Sequence, residues 1–483
     1  MVRITTLTRT LRVTSRFSYD FCRWKTYSFF NPPANNDQKY EYLANLLSRS
    51  FQKLGPTFVK LGQFVASGEG LFPPFLTAAF RECRDQVPPE RFTKVRHTFK
   101  NQFGQPFELA FKEFDSQPIA AASIAQVYSA TLLSGEPVVV KIQRSNVARI
   151  VQIDIKILRR LSQFLIGRLP FSALLNPPAL VELFEETILE ELDFRVEAEN
   201  MRVMREVVKH LGQDNVTIPE LYEEYTRQKI LVMERIQGFS FADAEGMQEA
   251  KYKTDQVLRI CLHSFLESTI VCGVFHGDMH AGNIIVPSDD SVVFIDFGII
   301  AKLNDQRRLA FVRLLLAITT NDINGQMQSL LELGAFPADT DIVAVTDDLG
   351  LDNGTFDPFN MKSEELVREF KFLIQTLLSY GAKLPKELML FAKNMMILDG
   401  AISKLAPDLD ILTEITTISQ NFATKHGEQL GRELGVDPSD VEFDMTSVKL
   451  GLGIDSRATN MTYKELQARR ELIQKRMRDH VGR

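Results

Sequence analysis

Three oxygen-bearing side chains stand at spacings that suit phosphoryl transfer. In His276-Gly277-Asp278-Met279-His280-Ala281-Gly282-Asn283 the aspartate follows the histidine by two positions and the asparagine follows the aspartate by five. Asp296-Phe297-Gly298 begins thirteen residues beyond Asn283. Moving a phosphoryl group from a nucleoside triphosphate needs an acidic group beside the attacking nucleophile and hard oxygen ligands for magnesium, because positioning and charge neutralisation dominate this chemistry. The two segments supply both: Asp278 as base or water-orienter, Asn283 and Asp296 as ligands of Mg2+. Alone, Asp-Phe-Gly is a chance tripeptide; its distance from the first segment carries the signal. His276 fits a brace for the loop backbone, and His280 either contacts phosphate or packs.

The other side of the nucleotide should be met by a strand lysine held by a helix carboxylate. Lys141 ends Val138-Val139-Val140-Lys141, a match to the V-A-I-K strand of protein kinases, and Glu197 lies on a following helix, so a Lys141–Glu197 ion pair is expected. Both are candidate catalytic residues with Asp278. Leu231-Val232-Met233-Glu234-Arg235 resembles the strand and hinge that meet adenine, which puts Glu234 among the nucleotide-binding candidates with Lys141 and His280. Where protein kinases carry a glycine-rich loop, this chain reads Pro118-Ile119-Ala120-Ala121-Ala122-Ser123-Ile124-Ala125-Gln126-Val127. Ala120, Ala121, Ala122 and Ser123 should border the phosphates. Alanine lacks glycine's access to positive φ, so a stiffer loop and an altered nucleotide pose are expected.

The elements that must position these groups can be read from periodicity. Helical spacing runs from Asp37 to about Gln102, as in Leu46-Leu47, Phe51, Leu54 and Phe58-Val59. Val127 to Leu132 and Val138 to Ile142 flank Ser134-Gly135-Glu136, which predicts a hairpin. Helices are expected over Val147 to Leu165 and Pro178 to Leu211, then a strand from Lys229 to Ile236, and a long helix from Thr254 to Cys272 leading into His276. Ile284 to Val286 and Val292 to Ile295 form a second small hairpin, and the chain beyond Asn304 reads as helical almost to Leu412, with a charged helix from Tyr463 to His480.

The alanine-rich loop, together with Lys60-Leu61-Gly62-Gln63 and Glu191-Leu192-Asp193, resembles the UbiB family of atypical, protein-kinase-like kinases and ATPases of ubiquinone and isoprenoid-lipid metabolism. The first motif is similar to the family's K-x-G-Q, the second to its E-x-D on the helix before the paired glutamate, and the likeness runs from about Tyr40 to Leu412. It implies an α+β, bilobal, kinase-like fold, with a helical N-terminal extension over the active site and a largely helical C-terminal lobe. The implied domains are a basic segment 1–36, an extension 37–105, an N-lobe 106–238, a C-lobe 239–425 and a polar tail 426–483. It implies ATP or ADP with Mg2+ as ligands, isoprenoid-lipid biosynthetic proteins as partners, and regulatory roles for Lys60, Gln63, Glu191 and Asp193, with Lys60 and Gln63 meeting Glu191 or Asp193 to occlude a protein-substrate site. On a helix Lys60 and Gln63 share a face, as would Asp193 and Glu197, while Glu191 points elsewhere. The chain departs from the family pattern at Ser67-Gly68-Glu69-Gly70-Leu71-Phe72-Pro73, and at Met279 and Ala281, where prolines are common. These departures bear on subfamily and substrate.

A hydrophobic share of 45% and a charged share of 24% are those of an ordinary globular chain, and a net charge of -6 argues against nucleic acid as a partner. Cys22, Cys83, Cys261 and Cys272 form no C-x-x-C pair and read as reduced, mostly buried thiols. No transmembrane helix is expected, since Arg168, Pro170, Pro177 and Pro178 interrupt the most apolar stretch. Arg3, Arg9, Arg12, Arg16, Arg23 and Lys25 face one acid, Asp20, in the first thirty residues. Such a segment suits an anionic membrane surface, an organellar targeting peptide or a solvated terminus. The expected location is peripheral, at the cytoplasmic face of a bacterial membrane, the alternative being a mitochondrion or plastid. Two rival functions are an aminoglycoside-type small-molecule phosphotransferase, which shares the H-G-D-x-H-x-x-N loop, and a nucleotide-binding pseudokinase scaffold.

Overall fold

Lys141 owes its position to a strand that is apolar on one face. In β3 (Pro137–Gln143) Val138, Val140 and Ile142 are buried, and Lys141 falls between them on the other face. The strand is central in an antiparallel sheet of order β1-β2-β3-β5, with β1 (Phe111–Ala121), β2 (Ala125–Leu132) and β5 (Ile230–Glu234). Lys141 pairs with Val127 on one side and Leu231 on the other. Gly135, at φ +107, closes the β2–β3 turn in a conformation open to glycine.

The computed structural model describes residues 6–30, 36–66, 74–81, 83, 88–165, 177–320, 322–350, 372, 376–377, 379–383, 385–435, 446, 449, 454 and 457–471. The chain divides into two compact units, and the architecture is α+β. The first comprises Met1–Arg202, Pro219–Ile236 and Asp296–Ile299; the second comprises Val203–Ile218, Gln237–Ile295 and Ile300–Arg483.

In the first unit, helices α1 (Thr6–Phe30), α2 (Asn36–Leu54), α3 (Pro56–Ala66), α4 (Pro74–Phe80), α5 (Phe92–Phe103), α6 (Val147–Leu165) and α7 (Pro177–Glu190) accompany the sheet. Phe58, Val151, Phe184 and Ile188 centre the helical core, and α5 closes the sheet with Phe99 against Phe107 and Phe111. Each such phenylalanine contributes about 1.5–3 kcal/mol by leaving water. The basic N-terminal segment is a packed helix over residues 6–30, not a solvated terminus. Arg9 is buried and bonds Asp154 of α6 through Nε at 2.7 Å and a terminal nitrogen at 2.6 Å, and it also donates to the Leu54 carbonyl at 2.7 Å. Asp20, also buried, accepts from Ser50.

The expected helix from Pro178 to Leu211 is two helices. α7 ends at Glu190, a turn covers Glu191 to Asp193, and α8 begins anew (Phe194–Leu211). Ile188 before the turn, Leu192 within it and Phe194 after it are all buried, so the apolar spacing carries on across the break. The alanine-rich segment is largely strand: Ala120 pairs with Val127, Ala121 with Gln126, and the Ala122 amide donates to the Ala125 carbonyl.

In the second unit, α9 (Ala244–Glu249) precedes α10 (Thr254–Glu267), which runs on through a π turn (Ser268–Cys272) and stops at Gly273, φ +64. There a Cβ would lie 3.0 Å from the Leu303 carbonyl oxygen. β7 (Val274–His276) pairs with β10 (Ile300–Lys302), while β4 (Val216–Thr217), β9 (Val292–Phe294), β8 (Ile284–Val286) and β6 (Phe239–Ser240) form a second sheet in that order. Then follow α11 (Asp305–Thr319), α12 (Ile323–Glu332), α13 (Ile342–Leu349), α14 (Lys386–Leu405) and α15 (Ile411–Leu434). The tail helix is described from Tyr463 to Glu471; residues 472–480 of its expected span, like Ser67 to Pro73, lie outside the described residues. Among the described residues no helix is long and apolar enough to cross a membrane. Cys83 and Cys261 are buried, Cys272 is half-buried and Cys22 is exposed, all as free thiols.

Candidate functional site

In the first unit a single ammonium joins two carboxylates. Lys141 Nζ lies 2.8 and 2.9 Å from the oxygens of Glu197 and 3.1 Å from Asp296 Oδ2. The turn before α8 places Glu197 in the first turn of that helix, where its charge also suits the helix dipole. Phe194, at the start of α8, sets its ring centroid 5.4 Å from the ammonium. The same helix holds the Asp-Phe-Gly backbone: Asn200 donates to the Phe297 carbonyl at 2.9 Å, and the Phe297 amide reaches Glu197 Oε1 at 3.4 Å. The Gly298 amide donates to Asp296 Oδ1 at 3.0 Å.

Burial works against the charged lysine, but Asp296 and Glu197 outweigh it and hold the ammonium well above the usual lysine range. Burial also opposes ionisation of Asp296, where Lys141, the Gly298 amide and the more distant Lys60 prevail and keep the carboxyl well below the usual carboxylate range. Glu197 goes the other way: its burial exceeds what Lys141 restores, and its carboxyl is raised. One cation is thus shared by two acids, of which Asp296 is the more exposed. An ionised, part-exposed carboxylate is a donor that fits magnesium.

The extension enters the same unit through Lys60, whose Nζ lies 3.1 Å from Glu191 Oε2. Burial raises the Glu191 carboxyl despite that lysine. Gly62, between Lys60 and Gln63, is required by packing: a Cβ there would meet Cys83 Sγ at 2.8 Å and Phe80 at 3.0 Å. Gln63 is half-buried and makes no hydrogen bond with a described residue, so the expected contact of Gln63 with Glu191 or Asp193 is not formed. Asp193 instead binds Arg195, at 2.9 and 2.6 Å from two guanidinium nitrogens. It precedes α8 and does not lie within it, so the shared helical face expected for Asp193 and Glu197 does not exist. Both Glu191 and Asp193 sit in the turn between α7 and α8, not on the helix.

The alanine-rich turn is anchored from below. Arg144 donates to the Ala122 carbonyl at 2.7 Å and to the Pro88 carbonyl at 3.0 Å. Ser123 is buried, Ala121 and Ala122 are half-buried and Ala120 is exposed. No residue from Pro118 to Val127 takes a positive φ, so this turn closes without glycine. Glu234 is half-buried at the end of β5, its carboxylate accepting the Glu220 amide at 3.2 Å.

In the second unit the loop after β7 is cross-braced. The Asp278 amide donates to His276 Nδ1 at 3.0 Å, and Asn283 Nδ2 donates to the Asp278 carbonyl at 3.0 Å. With its nitrogen so occupied, the Asn283 amide turns its oxygen into the group suited to a cation. The Asn283 carbonyl accepts the Ile295 amide at 3.0 Å, which ties the loop to the residue preceding Asp296. His280 caps the short turn that follows it, its Nδ1 accepting from Gly282 at 3.2 Å.

Two residues that sequence reasoning missed come from α14. Asn394, fully buried, accepts the Met279 amide at 2.9 Å and donates to the His276 carbonyl, holding the loop on both sides of Asp278. Its neighbour Lys393 places Nζ 2.8 Å from Asp278 Oδ1. The available signal was an asparagine in the buried i, i+4 row Leu390, Asn394, Leu398.

Comparison with known proteins places these features among related chains. The description "ABC1 atypical kinase-like domain" matches residues 82–330. An uncharacterized protein of Mycobacterium tuberculosis is 31% identical over 386 residues, covering 78% of each chain. An uncharacterized aarF domain-containing protein kinase of Arabidopsis thaliana, described as chloroplastic, is 30% identical over 396 residues, covering 76% of this chain and 73% of the relative. A probable protein kinase UbiB of Erwinia tasmaniensis is 28% identical over 411 residues, covering 83% and 73%.

Proposed function

Because this chain belongs to the ABC1 atypical kinase-like family, with UbiB proteins among its relatives, we propose that it binds ATP or ADP with Mg2+ and acts as a slow ATPase or phosphotransferase in support of ubiquinone or related isoprenoid-lipid synthesis. Its fold is α+β and kinase-like. The observation that carries the reading is the Lys141 ammonium clasped by Glu197 and Asp296 on strand β3. When bound, the Mg-nucleotide supplies the transferable phosphoryl group and the positive charge that offsets it.

Each side chain then has one task. Lys141, oriented by Glu197, donates to phosphate oxygens. Asp296 would offer oxygen to the metal, and Asn283, by its place in the loop after β7, is the second residue of a type that would do so. Asp278 receives or orients the proton of the attacking hydroxyl or water, which requires hydrogen-bond reach of about 2.6–3.2 Å. Lys60 on Glu191 ties the extension to the turn before α8, in the same unit as Lys141, and sets which nucleotide is preferred.

The reading extends to a peripheral position on an anionic membrane, in a bacterium or an organelle. On α1, Leu7, Leu11, Phe21 and Phe29 are exposed together with Arg12, Arg23 and Lys25, while its acid, Asp20, is buried. Leu7, Leu11, Phe21, Lys25 and Phe29 fall on one side of the helix, with Arg12 and Arg23 further round its exposed surface, as in helices that lie on a lipid surface.

The test is calorimetric titration of the full chain with Mg-ADP and Mg-ATP, alongside Asp296→Asn. Wild type should bind and the variant should lose Mg-dependent affinity and turnover; equal affinity and turnover in both would refute the metal assignment. A deletion strain with a normal profile of quinones and related isoprenoid lipids would remove the pathway from the reading.

A further inference from the structure

Protein kinases place a lysine two residues beyond the catalytic aspartate, and in this chain that position is His280, whose Nδ1 is engaged with its own loop at the Gly282 amide. The loop from His276 to Asn283 contains no lysine or arginine. A cation is nevertheless present at the aspartate, delivered by a helix more than a hundred residues later in the chain: Lys393 Nζ is 2.8 Å from Asp278 Oδ1.

We infer that Lys393 is the lysine of phosphoryl transfer missing from the loop, paired with Asp278 before the triphosphate arrives and with the terminal phosphate afterwards. The inference rests on the reading of Asp278 given above. A nucleophile oriented by Asp278 lies within about 3 Å of that carboxylate. The phosphorus it attacks is about 3–3.5 Å further on. A lysine already touching the carboxylate therefore reaches oxygens of that phosphoryl group by rotation of its four-carbon stem.

The exchange has a chemical purpose. The ammonium occupies Asp278 Oδ1, and the anionic phosphate draws it away, so that this oxygen is vacated for the attacking hydroxyl or water when a triphosphate is present. In the step itself the acceptor oxygen bonds the terminal phosphorus and gives its proton to Asp278. The bond from that phosphorus to the bridging oxygen breaks, and its electron pair departs on the diphosphate product. Lys393 gains and loses no proton; it follows the charge. Asn394 supports the arrangement by fixing the backbone on both sides of Asp278, so the lysine has a stationary partner.

The test compares affinities in the full chain for Mg-ADP and for the Mg complex of a non-hydrolysable ATP analogue. Lys393→Met should weaken the triphosphate analogue by about 10- to 100-fold, the value of one charge-assisted contact, and leave ADP within about twofold. Lys393→Arg should retain the triphosphate preference. The double variant Asp278→Asn with Lys393→Met separates a phosphate contact from simple neutralisation of the aspartate. If the contact exists, the double variant stays weak for the triphosphate; if it regains affinity, the inference is overturned. Parallel loss of both nucleotides in Lys393→Met, with a lowered melting temperature, would mark a merely structural lysine and also overturn it. Failure of the wild type to bind any Mg-nucleotide would instead remove the parent reading.

Discussion

Replacing Glu197 by glutamine keeps the size and one hydrogen-bonding oxygen of the side chain but removes a charge that lies 2.8 Å from Lys141 and is almost wholly buried. Removing one partner of a buried ion pair costs about 3–5 kcal/mol. Glutamine retains part of the contact and Asp296 remains 3.1 Å away, so a smaller loss of correctly held lysine, about 2–3 kcal/mol, is expected. Expressed as nucleotide affinity this is roughly 30- to 150-fold. The direction of the failure is specific. Deprived of Glu197, the ammonium moves wholly onto Asp296 and competes with magnesium for that carboxylate. Half-saturation by Mg2+ should therefore rise along with the dissociation constant for ADP, while metal-free nucleotide binding changes less. Titration calorimetry at several Mg2+ concentrations reads both quantities. Glu191→Gln is the matched control, because it removes an equal charge from an acid bound to Lys60 and not to Lys141, and its Mg2+ dependence should stay within about threefold. Indistinguishable Mg2+ curves for the two variants would refute the claim that Lys141 is apportioned between Glu197 and Asp296.

Arg9→Leu should cost about 3–5 kcal/mol, because Asp154 is left charged and inaccessible. For a unit of this size that lowers the melting temperature by roughly 6–20 °C. Adding Asp154→Leu should recover most of the loss by calorimetry, and a double variant no better than the single would argue against the pair. In the second unit Glu267 is buried, which alone would raise its carboxyl, yet hydrogen bonds from Gln213, Lys425 and His426 prevail and lower it. A depressed carboxyl gives stability that is complete above the ordinary glutamate value of 4.5 and is lost as pH falls through the folded value. Glu267→Gln should therefore be less stable than wild type at neutral pH, and the two should converge in acid; a gap independent of pH in denaturant titrations would contradict this.

Local chemistry made the hairpin around Lys141 legible, because β-branched runs flank a glycine turn and the lysine's place in the alternation follows from register. The break between α7 and α8 was illegible for a physical reason. Ile188, Leu192 and Phe194 remain buried through the turn, and no proline or glycine marks it, so periodicity alone reads one continuous helix and misplaces Asp193. Arg9 was equally opaque. Its partner Asp154 is 145 positions away, and a helix rich in arginine and threonine has the composition of a leader whether or not one of its arginines is interior. Lys393 was missed because an ion pair between remote segments leaves no local trace; only the asparagine beside it disturbs an otherwise apolar row.

The seating of Arg9 constrains how the chain can mature. A processing protease that cut within α1 beyond Arg9 would withdraw the guanidinium from Asp154 and from the Leu54 carbonyl in one event, leaving an interior anion and an unsatisfied backbone oxygen. The trimmed product would begin life with the defect of Arg9→Leu, and a cut beyond Trp24 would also strip Val13 and Trp24 from the interior. A chain trimmed beyond Arg9 is therefore expected to melt below the full chain, a difference that calorimetry of the two reads.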